Sequence, residues 1–261
     1  MIDQIIIQQV KHTAQLISNA RYVVVFTGAG ISTSSGIPDF RSERKGLWQR
    51  YDPMQVASLT AFHHTPDIFY DWFRPLFQSS YQAQPNAAHL GLAKLEQSHI
   101  IRSVITQNID TLHQKSGSQK VIELHGSALT FTCPVCGVIT SAEQVFNSFS
   151  SGKSIPLCLK CEKILKPDII LFEEPLPMDA WQIAEIETRK ADLMLVIGSS
   201  LEVYPASTIP YSAAQKGSRI IINNLSPTPL DKQADVVIPL DAAQFVPLLV
   251  DFVNQEIKEN S

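Results

Sequence analysis

The sequence predicts an α/β fold built on a parallel, doubly wound sheet, and two observations support this prediction. Seven short runs rich in apolar and β-branched residues recur along the chain, and most are apolar throughout rather than alternating, as is typical of strands covered on both faces. Helical patterns lie between several of these runs, and such alternation favours a parallel sheet. Because ligands of these sheets bind at the carboxyl ends of the strands, the residues that follow each strand are the candidate functional ones.

The individual elements follow from local patterns. The predicted strands are Tyr22–Thr27, Ile100–Thr106, Val121–Leu124, Asp168–Phe172, Leu193–Ile197, Arg219–Asn223 and Asp235–Leu240. The predicted helices are Asn86–Gln97, Met178–Lys190, Ala206–Lys216 and Ala243–Ile257, and the N-terminal residues read as a further amphipathic helix. In the first of these, Ala88, Leu92 and Leu95 form one apolar stripe, as helical periodicity requires.

Composition narrows the class of protein. Of the 261 residues 44% are hydrophobic and 18% charged, so the chain can bury a large core with an additional lobe, and global disorder is excluded. A net charge of −4 gives no general attraction to nucleic acid or acidic membranes. The first ten residues predict an amphipathic helix and not a secretory signal, and no apolar run reaches the roughly 18 residues of a membrane span. We therefore predict a cytoplasmic protein with neither a nucleic-acid nor a membrane partner, and its oligomeric state is left open.

Two segments interrupt the strand–helix alternation. Residues 43–84 are rich in Phe, Tyr and Trp at helical spacing, and residues 131–164 hold all four cysteines and few apolar residues. We predict that both are insertions that form a smaller lobe. The predicted division is a sheet domain of residues 1–42, 85–130 and 165–261, a helical insertion of residues 43–84 and a metal module of residues 131–164.

The cysteines form two Cys-x-x-Cys pairs. Cys133 and Cys136 are separated from Cys158 and Cys161 by a loop of the length found in four-thiolate zinc sites. Two disulfides or free thiols are the alternatives, and a reducing cytosol disfavours disulfides. Four thiolates leave no open position for water, so we predict one structural Zn²⁺ that takes no part in chemistry.

A glycine-rich loop follows the first predicted strand. Residues 28–41 read Gly-Ala-Gly-Ile-Ser-Thr-Ser-Ser-Gly-Ile-Pro-Asp-Phe-Arg, and bare backbone of this kind can approach a phosphate group. The third glycine comes six residues after the second, which departs from the dinucleotide fingerprint. Since Pro38 disfavours a helix at Ile37, we expect the loop to hold a pyrophosphate and then to lay polar and aromatic groups over the ligand.

Polar residues follow four other predicted strands. Gln107, Asn108 and Asp110 follow the second strand, and His125 with Gly126 follows the third. A histidine of ordinary pKa is a natural general base, although a lone histidine is more often structural and an Asn-x-Asp run also makes ordinary helix caps. Gly198–Ser200 and Asn223–Ser226 end two further strands; each alone reads as an ordinary βα turn, and together they favour a ligand site.

These motifs, taken together, resemble those of the sirtuin family of NAD-dependent protein lysine deacylases. The matching segments, in family order, are Gly28–Ser32, Gly36–Arg41, Thr106–His113, Glu123–Gly126, the two Cys-x-x-Cys pairs, Lys166–Phe172 and Gly198–Ala206. The resemblance covers about residues 20 to 240. It implies a Rossmann-like domain with a zinc-binding lobe and a helical insertion, and a cleft between them that binds NAD and an acyl-lysine protein or peptide.

The resemblance also implies a reaction and a set of site residues. NAD loses nicotinamide, the acyl group passes to the ribose, and the products are free lysine and O-acyl-ADP-ribose. His125 is implied as the general base, with Asn108 and Asp110 as further catalytic residues. The implied cofactor-binding residues are Gly28, Ala29, Gly30, Thr33, Asp39, Phe40, Arg41, Gln107, Asn108, Ile109, Asp110, Gly198, Ser199, Ser200, Asn224, Leu225, Ser226 and Ala242. The implied substrate-binding residues are Phe172, Glu173, Glu174, Leu201, Val203 and Tyr204, which would pair with the peptide as an added strand.

Two departures from the family pattern predict substrate preferences. Glu173 stands where the family usually has Gly, and its carboxylate at the peptide edge favours substrates with basic residues beside the acyl-lysine. Relatives that remove acidic acyl groups carry Tyr and Arg three residues apart, whereas here Tyr70 is followed at that spacing by Phe73. Arg74 lies one residue, or about 100° of helix, further on. We therefore expect acetyl or other neutral acyl groups to be preferred over succinyl.

Two other functions use the same motifs. An ADP-ribosyltransferase would cleave the same nicotinamide bond and pass ADP-ribose to another acceptor. A non-enzymatic NAD- or ADP-ribose-binding module would need no general base, so His125 argues against it.

Overall fold

The computed structural model describes residues 2–40, 46–152 and 155–259. In these residues a six-stranded parallel sheet forms the large domain, with the strand order β3-β2-β1-β7-β8-β9. Its strands are β1 (Val23–Thr27), β2 (Ile101–Thr106), β3 (Val121–Glu123), β7 (Leu193–Ile197), β8 (Arg219–Asn223) and β9 (Val236–Ile238). The chain crosses from one side of β1 to the other between β3 and β7, so the switch in strand order lies beside β1. The predicted α/β fold class is confirmed.

Helices cover both faces of this sheet and form the insertion. Their bounds are α1 (Gln4–Asn19), α2 (Pro53–Val56), α3 (Leu59–His64), α4 (Pro66–Gln82), α5 (Ala87–Gln97), α6 (Leu112–Lys115), α7 (Ala142–Ser150), α8 (Met178–Lys190), α9 (Thr208–Gln215) and α10 (Ala242–Glu259). Asn86 caps α5 with its side chain, which is why that helix begins where its apolar stripe begins. Within the described residues, no helix is both long and apolar enough to cross a bilayer.

The fourth predicted strand, Asp168–Phe172, does not join the parallel sheet. Asp168 and Ile169 belong to β6 (Lys166–Ile169), which pairs antiparallel with β4 (Gly126–Thr132), and β5 (Ile139–Ser141) pairs with the other edge of β4. Apolar character identifies a buried strand but does not specify its partner. This three-stranded sheet therefore begins directly after His125, at the point where the chain leaves the large domain.

The two insertions share one hydrophobic core. Phe69, Phe73 and Phe77 of α4 pack with Phe131 of β4 and Phe149 of α7. Aromatic pairs in edge-to-face and offset arrangements add to the free energy of burial. The helical insertion and the cysteine-bearing segment thus stabilise each other, and the domain boundaries given above remain a prediction.

A buried carboxylate joins elements at the amino ends of three strands. Glu187 of α8 is 2% exposed and accepts hydrogen bonds from the Tyr22 hydroxyl (2.8 Å) and the Ser103 hydroxyl (3.1 Å). Its oxygens lie 2.6 Å from Lys120 Nζ and 3.2 Å from Lys190 Nζ. Burial by itself raises the pKa of a carboxyl, but the hydrogen bonds from Lys120, Tyr22 and Lys190 outweigh it and lower the pKa of Glu187 to about 2.

We expect Glu187→Gln to lower the free energy of unfolding at pH 7 by about 2 kcal/mol, because the buried charge-assisted hydrogen bonds are lost. A lowered pKa in the folded state gives stability that is present above the ordinary carboxyl pKa and is lost as pH falls toward 2. Urea unfolding between pH 7 and pH 3 should therefore show a smaller pH dependence in the variant.

Glu185→Gln on the same helix is the matched control. Its carboxylate lies 3.9 Å from Arg189 with both side chains about half exposed, so removing it should cost less than about 0.5 kcal/mol. If Glu187→Gln and Glu185→Gln lowered the free energy of unfolding equally, burial of the Glu187 carboxylate would not explain its contribution to stability.

Candidate active site

A cleft of about 760 Å³ opens at the carboxyl ends of the parallel strands. The loops after β1, β2, β3, β7 and β8 form one side, and side chains of α4, among them Trp72, Phe73 and Leu76, form the other. The predicted site residues that line it are Gly28, Ala29, Gly30, Thr33, Asp39, Phe40, Gln107, Asn108, Ile109, Asp110, His125, Phe172, Glu173, Glu174, Gly198, Ser199, Ser200, Val203, Tyr204, Asn224, Leu225, Ser226 and Ala242.

Two predicted residues are not among those that line the cleft. Leu201 is 3% exposed and packs in the core on one face of the sheet. Arg41 lies outside the described residues.

Three glycines pack backbone against backbone between the loops after β1 and β7. Gly28 N–H donates to Ile197 O (3.1 Å) and Gly30 N–H donates to Gly198 O (2.8 Å). A Cβ on Gly30 would lie 2.8 Å from the Gly198 Cα, and Gly198 itself has a φ of 63°. These glycines are therefore required by loop packing, and two of the N–H groups expected to meet a phosphate are already occupied. Ala29 begins a 3₁₀ helix, Ala29–Ser35, which Gly36 caps.

A buried serine joins Asn108 to Asp110. Ser32 Oγ donates to Asp110 Oδ2 (2.6 Å) and accepts from Asn108 Nδ2 (3.3 Å), which also donates to Gly28 O (3.1 Å). Burial raises the pKa of the Asp110 carboxyl, while the Ser32 hydroxyl and the Leu112 N–H oppose that rise. The three side chains thus hold each other in fixed orientations at the floor of the cleft.

His125 follows β3 and lines the cleft. Its Nδ1 lies 2.9 Å from Gln107 O. Because a carbonyl oxygen only accepts, Nδ1 carries the proton and Nε2 is the basic nitrogen. Gln107 is fixed in turn, since its Nε2 donates to Ser199 Oγ (2.9 Å). The imidazole therefore has the tautomer that a general base requires.

Two further histidines lie behind the floor of the cleft. His89 and His113 are buried, with ring centroids 5.0 Å apart. Burial lowers the pKa of His89 to about 4 and that of His113 to about 3, so both are neutral at pH 7. His113 Nε2 lies 3.0 Å from the Thr27 hydroxyl. These imidazoles serve as hydrogen-bonding groups that support the loops.

The far end of the cleft is apolar. Phe40, Trp48 and Trp72 form a chain of ring contacts with centroid distances of 5.1 Å and 5.9 Å. Phe73 lines the cleft, whereas the Arg74 guanidinium pairs with Asp71 (3.3 Å). Among the described residues no Lys or Arg lines the cleft. Tyr70 is fully buried, and its hydroxyl donates to Leu165 O.

The four cysteine thiols converge in the smaller lobe. Their sulfur atoms all lie within 4.8 Å of one another, and Cys133–Cys161 and Cys136–Cys158 are each 3.5 Å apart. Tetrahedral Zn²⁺ with Zn–S bonds of 2.3 Å places its sulfurs about 3.8 Å apart. The cluster therefore fits a structural zinc site, and the cysteines form no disulfide.

Sequence reasoning missed several residues of the cleft. Ser32, which bonds both Asn108 and Asp110, lies in the glycine-rich loop. The sequence argument for that loop rested on its glycines, so no role was predicted for the serine. Trp72 and Phe77 were predicted only as part of the aromatic-rich helical insertion, and no role was predicted for Leu76, although all three line the cleft. A helical stripe of aromatic residues indicates burial, and nothing in its spacing distinguishes a core from a cavity wall.

Comparisons with known proteins agree with this geometry. The Sir2 family model matches residues 28–205. NAD-dependent protein deacylase 2 of Pyrobaculum aerophilum is 39% identical, covering 95% of this chain and 97% of the relative. The protein of the same name from Archaeoglobus fulgidus is 41% identical, covering 95% and 97%. A solved Sir2–p53 peptide–NAD⁺ structure has a TM-score of 0.82 at 39% identity, covering 96% of this chain and 98% of that one. The resemblance predicted from the motifs is thereby confirmed, and this chain belongs to the Sir2 family.

Proposed function

We propose that this protein is an NAD-dependent protein deacylase that removes acetyl or other neutral acyl groups from lysine side chains. One observation carries the proposal: His125, Asn108 and Asp110, which lie on two different loops, line one cleft at the carboxyl ends of the strands. The family match and the deacylase relatives support it. When bound, NAD supplies the ribose carbon that accepts the acyl oxygen as nicotinamide leaves.

The hydrogen bonds of the cleft suggest a role for each group. His125 Nε2 takes the proton from a ribose hydroxyl, because Nδ1 is held as a donor by Gln107 O. Asn108 and Asp110 orient the ribose and the carboxamide, since Ser32 fixes both side chains. Phe40 covers the reacting centre and excludes water that would compete with the acyl oxygen.

The acyl-lysine peptide is proposed to bind as an added strand. The segments 172–174 and 203–204 both line the cleft, and Tyr204 is 81% exposed. Pairing with main-chain groups tolerates many sequences. A similar Sir2 protein has been solved with a p53 peptide and NAD⁺, which supports a peptide as the substrate.

We expect the purified protein to release nicotinamide from NAD only when an acetyl-lysine peptide is present, and to yield O-acetyl-ADP-ribose. His125→Ala should lower kcat at least about 100-fold, the size of a lost general base, while the Kd for NAD changes less than about twofold. Mass spectrometry of the products and calorimetric NAD titration provide the measurements.

His99→Ala is the matched control, because His99 is not among the residues that line the cleft. His113→Asn is unsuitable as a control because the His113 imidazole supports the loops. Transfer of ADP-ribose to protein without loss of the acyl group would instead favour the ADP-ribosyltransferase alternative. NAD binding without release of nicotinamide, either with or without the acetyl-lysine peptide, would favour a non-enzymatic binding module.

Acyl preference follows from the charge of the cleft. Since no described Lys or Arg lines it, a succinyl carboxylate would be desolvated without a partner. We expect kcat/KM for a succinyl-lysine peptide to be at least about tenfold below that for the acetyl peptide. A butyryl peptide, equal in length and uncharged, controls for chain length, and faster turnover of the succinyl peptide would contradict the expectation.

Zinc is proposed to hold the smaller lobe together without touching the reaction. We expect one Zn²⁺ per chain by atomic absorption. Cys158→Ala should lose the metal and lower the melting temperature by several degrees, because metal binding contributes directly to folding free energy. The activity of Cys158→Ala should fall in proportion to its folded fraction. Conditions that restore folding of the variant but not its activity would contradict a purely structural role for zinc.

A further inference from the structure

A tight turn stands at the edge proposed to receive the peptide. Glu174 N–H donates to Leu171 O (3.1 Å), which closes the turn Leu171–Glu174. Glu173, its third residue, has a φ of 77°, whereas Phe172 is not in the left-handed region. This combination is the signature of a type II turn, whose third position favours Gly because a Cβ there is strained. A glutamate held in this conformation needs a compensating interaction.

The Glu173 carboxylate supplies that interaction. Its two oxygens accept hydrogen bonds from Thr60 N–H (2.8 Å) and Thr60 Oγ1 (3.1 Å). Thr60 lies in the first turn of α3, where main-chain N–H groups have no partner within the helix. Hydrogen bonds to a carboxylate are stronger than those between neutral groups. The side chain therefore ties the turn to the helical insertion, and we name the contact the Glu173–Thr60 clamp.

The main chain directly before Glu173 pairs with the helical insertion through an isolated parallel bridge between Phe172 and Ser58. Phe172 N–H donates to Ala57 O and Leu59 N–H donates to Phe172 O, both at 3.0 Å. Phe172 thus uses both of its main-chain groups on the insertion. Among the described residues, the N–H and C=O of Glu173 have no main-chain partner, and Glu173 lines the cleft.

We propose that Glu173 is a positioning residue for the acyl-lysine peptide. Its carboxylate, held by Thr60, fixes the turn so that the main-chain groups of residue 173 are presented to an incoming extended peptide. The inference rests on the proposed function and assigns the side chain a purpose different from charge recognition. A preformed edge lowers the cost of ordering the binding segment, so the clamp acts on peptide affinity and leaves the chemical step alone.

Substitutions separate the clamp from the charge. Glu173→Gln removes the charge and keeps an oxygen that can accept from Thr60 N–H. Glu173→Gly removes both and relieves the strain, so folding is preserved. Thr60→Val removes the hydroxyl donor, and Thr60→Ser is its matched control.

We expect Glu173→Gly to raise the KM for an acetyl-lysine peptide about fivefold, the loss expected for exposed charge-assisted hydrogen bonds. Its kcat and its KM for NAD should stay within about twofold of wild type. Glu173→Gln should keep the peptide KM within about twofold of the wild-type value. Thr60→Val should raise the peptide KM about twofold, and Thr60→Ser should leave it unchanged. Fluorescence anisotropy of a labelled peptide measures the same differences as Kd without turnover.

Three results would overturn the clamp. They are an unchanged peptide KM and Kd in Glu173→Gly, an equal rise of the KM values for NAD and peptide, and a Glu173→Gln variant that behaves like Glu173→Gly. The last result, joined with a loss of preference for basic-flanked over acidic-flanked peptides, would show that the charge itself is recognised. If wild type and the variants bind the peptide with these differences in Kd, but wild type never deacylates it, the proposed function is contradicted and the clamp remains supported.

Discussion

The close approach of two glycine-bearing loops is the constraint on which the cleft depends. Gly28 and Gly30, after β1, lie against Gly198, after β7, with main-chain hydrogen bonds of 3.1 Å and 2.8 Å in the contact region. A side chain on Gly30 would collide with the Gly198 backbone. Because β1 and β7 are neighbours in the sheet, this contact fixes how closely the two halves of the ligand site approach each other.

The polar floor of the cleft is built on that contact. Gly28 O accepts from Asn108, and Ser32, two residues past Gly30, binds both Asn108 and Asp110. A shift of the first loop would therefore move the amide and the carboxylate together. His125 is oriented by Gln107 O, and the Gln107 side chain is held in turn by Ser199. Each catalytic candidate is therefore oriented by a residue that follows a strand other than its own. Such fixed groups need no reorganisation when charge develops in a reaction.

The insertions complete the cleft from the opposite side. Aromatic residues of α4 pack on β4 and α7, and the same helix turns Trp72 and Phe73 toward the cavity. Cys133 and Cys158 pack in the other part of this shared core. Phe172, in the segment proposed to receive the peptide, forms main-chain hydrogen bonds with Ala57 and Leu59. The position of this segment therefore depends on the helical insertion as well as on the sheet.

The sequence by itself determined the strands of the parallel sheet, the polar residues at their ends and the four-thiol cluster, because each depends on local composition or on spacing along the chain. Only the tertiary structure decided that Asp168 and Ile169 pair antiparallel in a second sheet, that Leu201 points into the core, and that Gly28 and Gly30 serve loop packing. It also decided the pairing of Ser32 with Asp110 and of Glu173 with Thr60, which are 78 and 113 residues apart along the chain. These features are contacts between segments far apart in sequence, and no periodicity or motif records which segments meet.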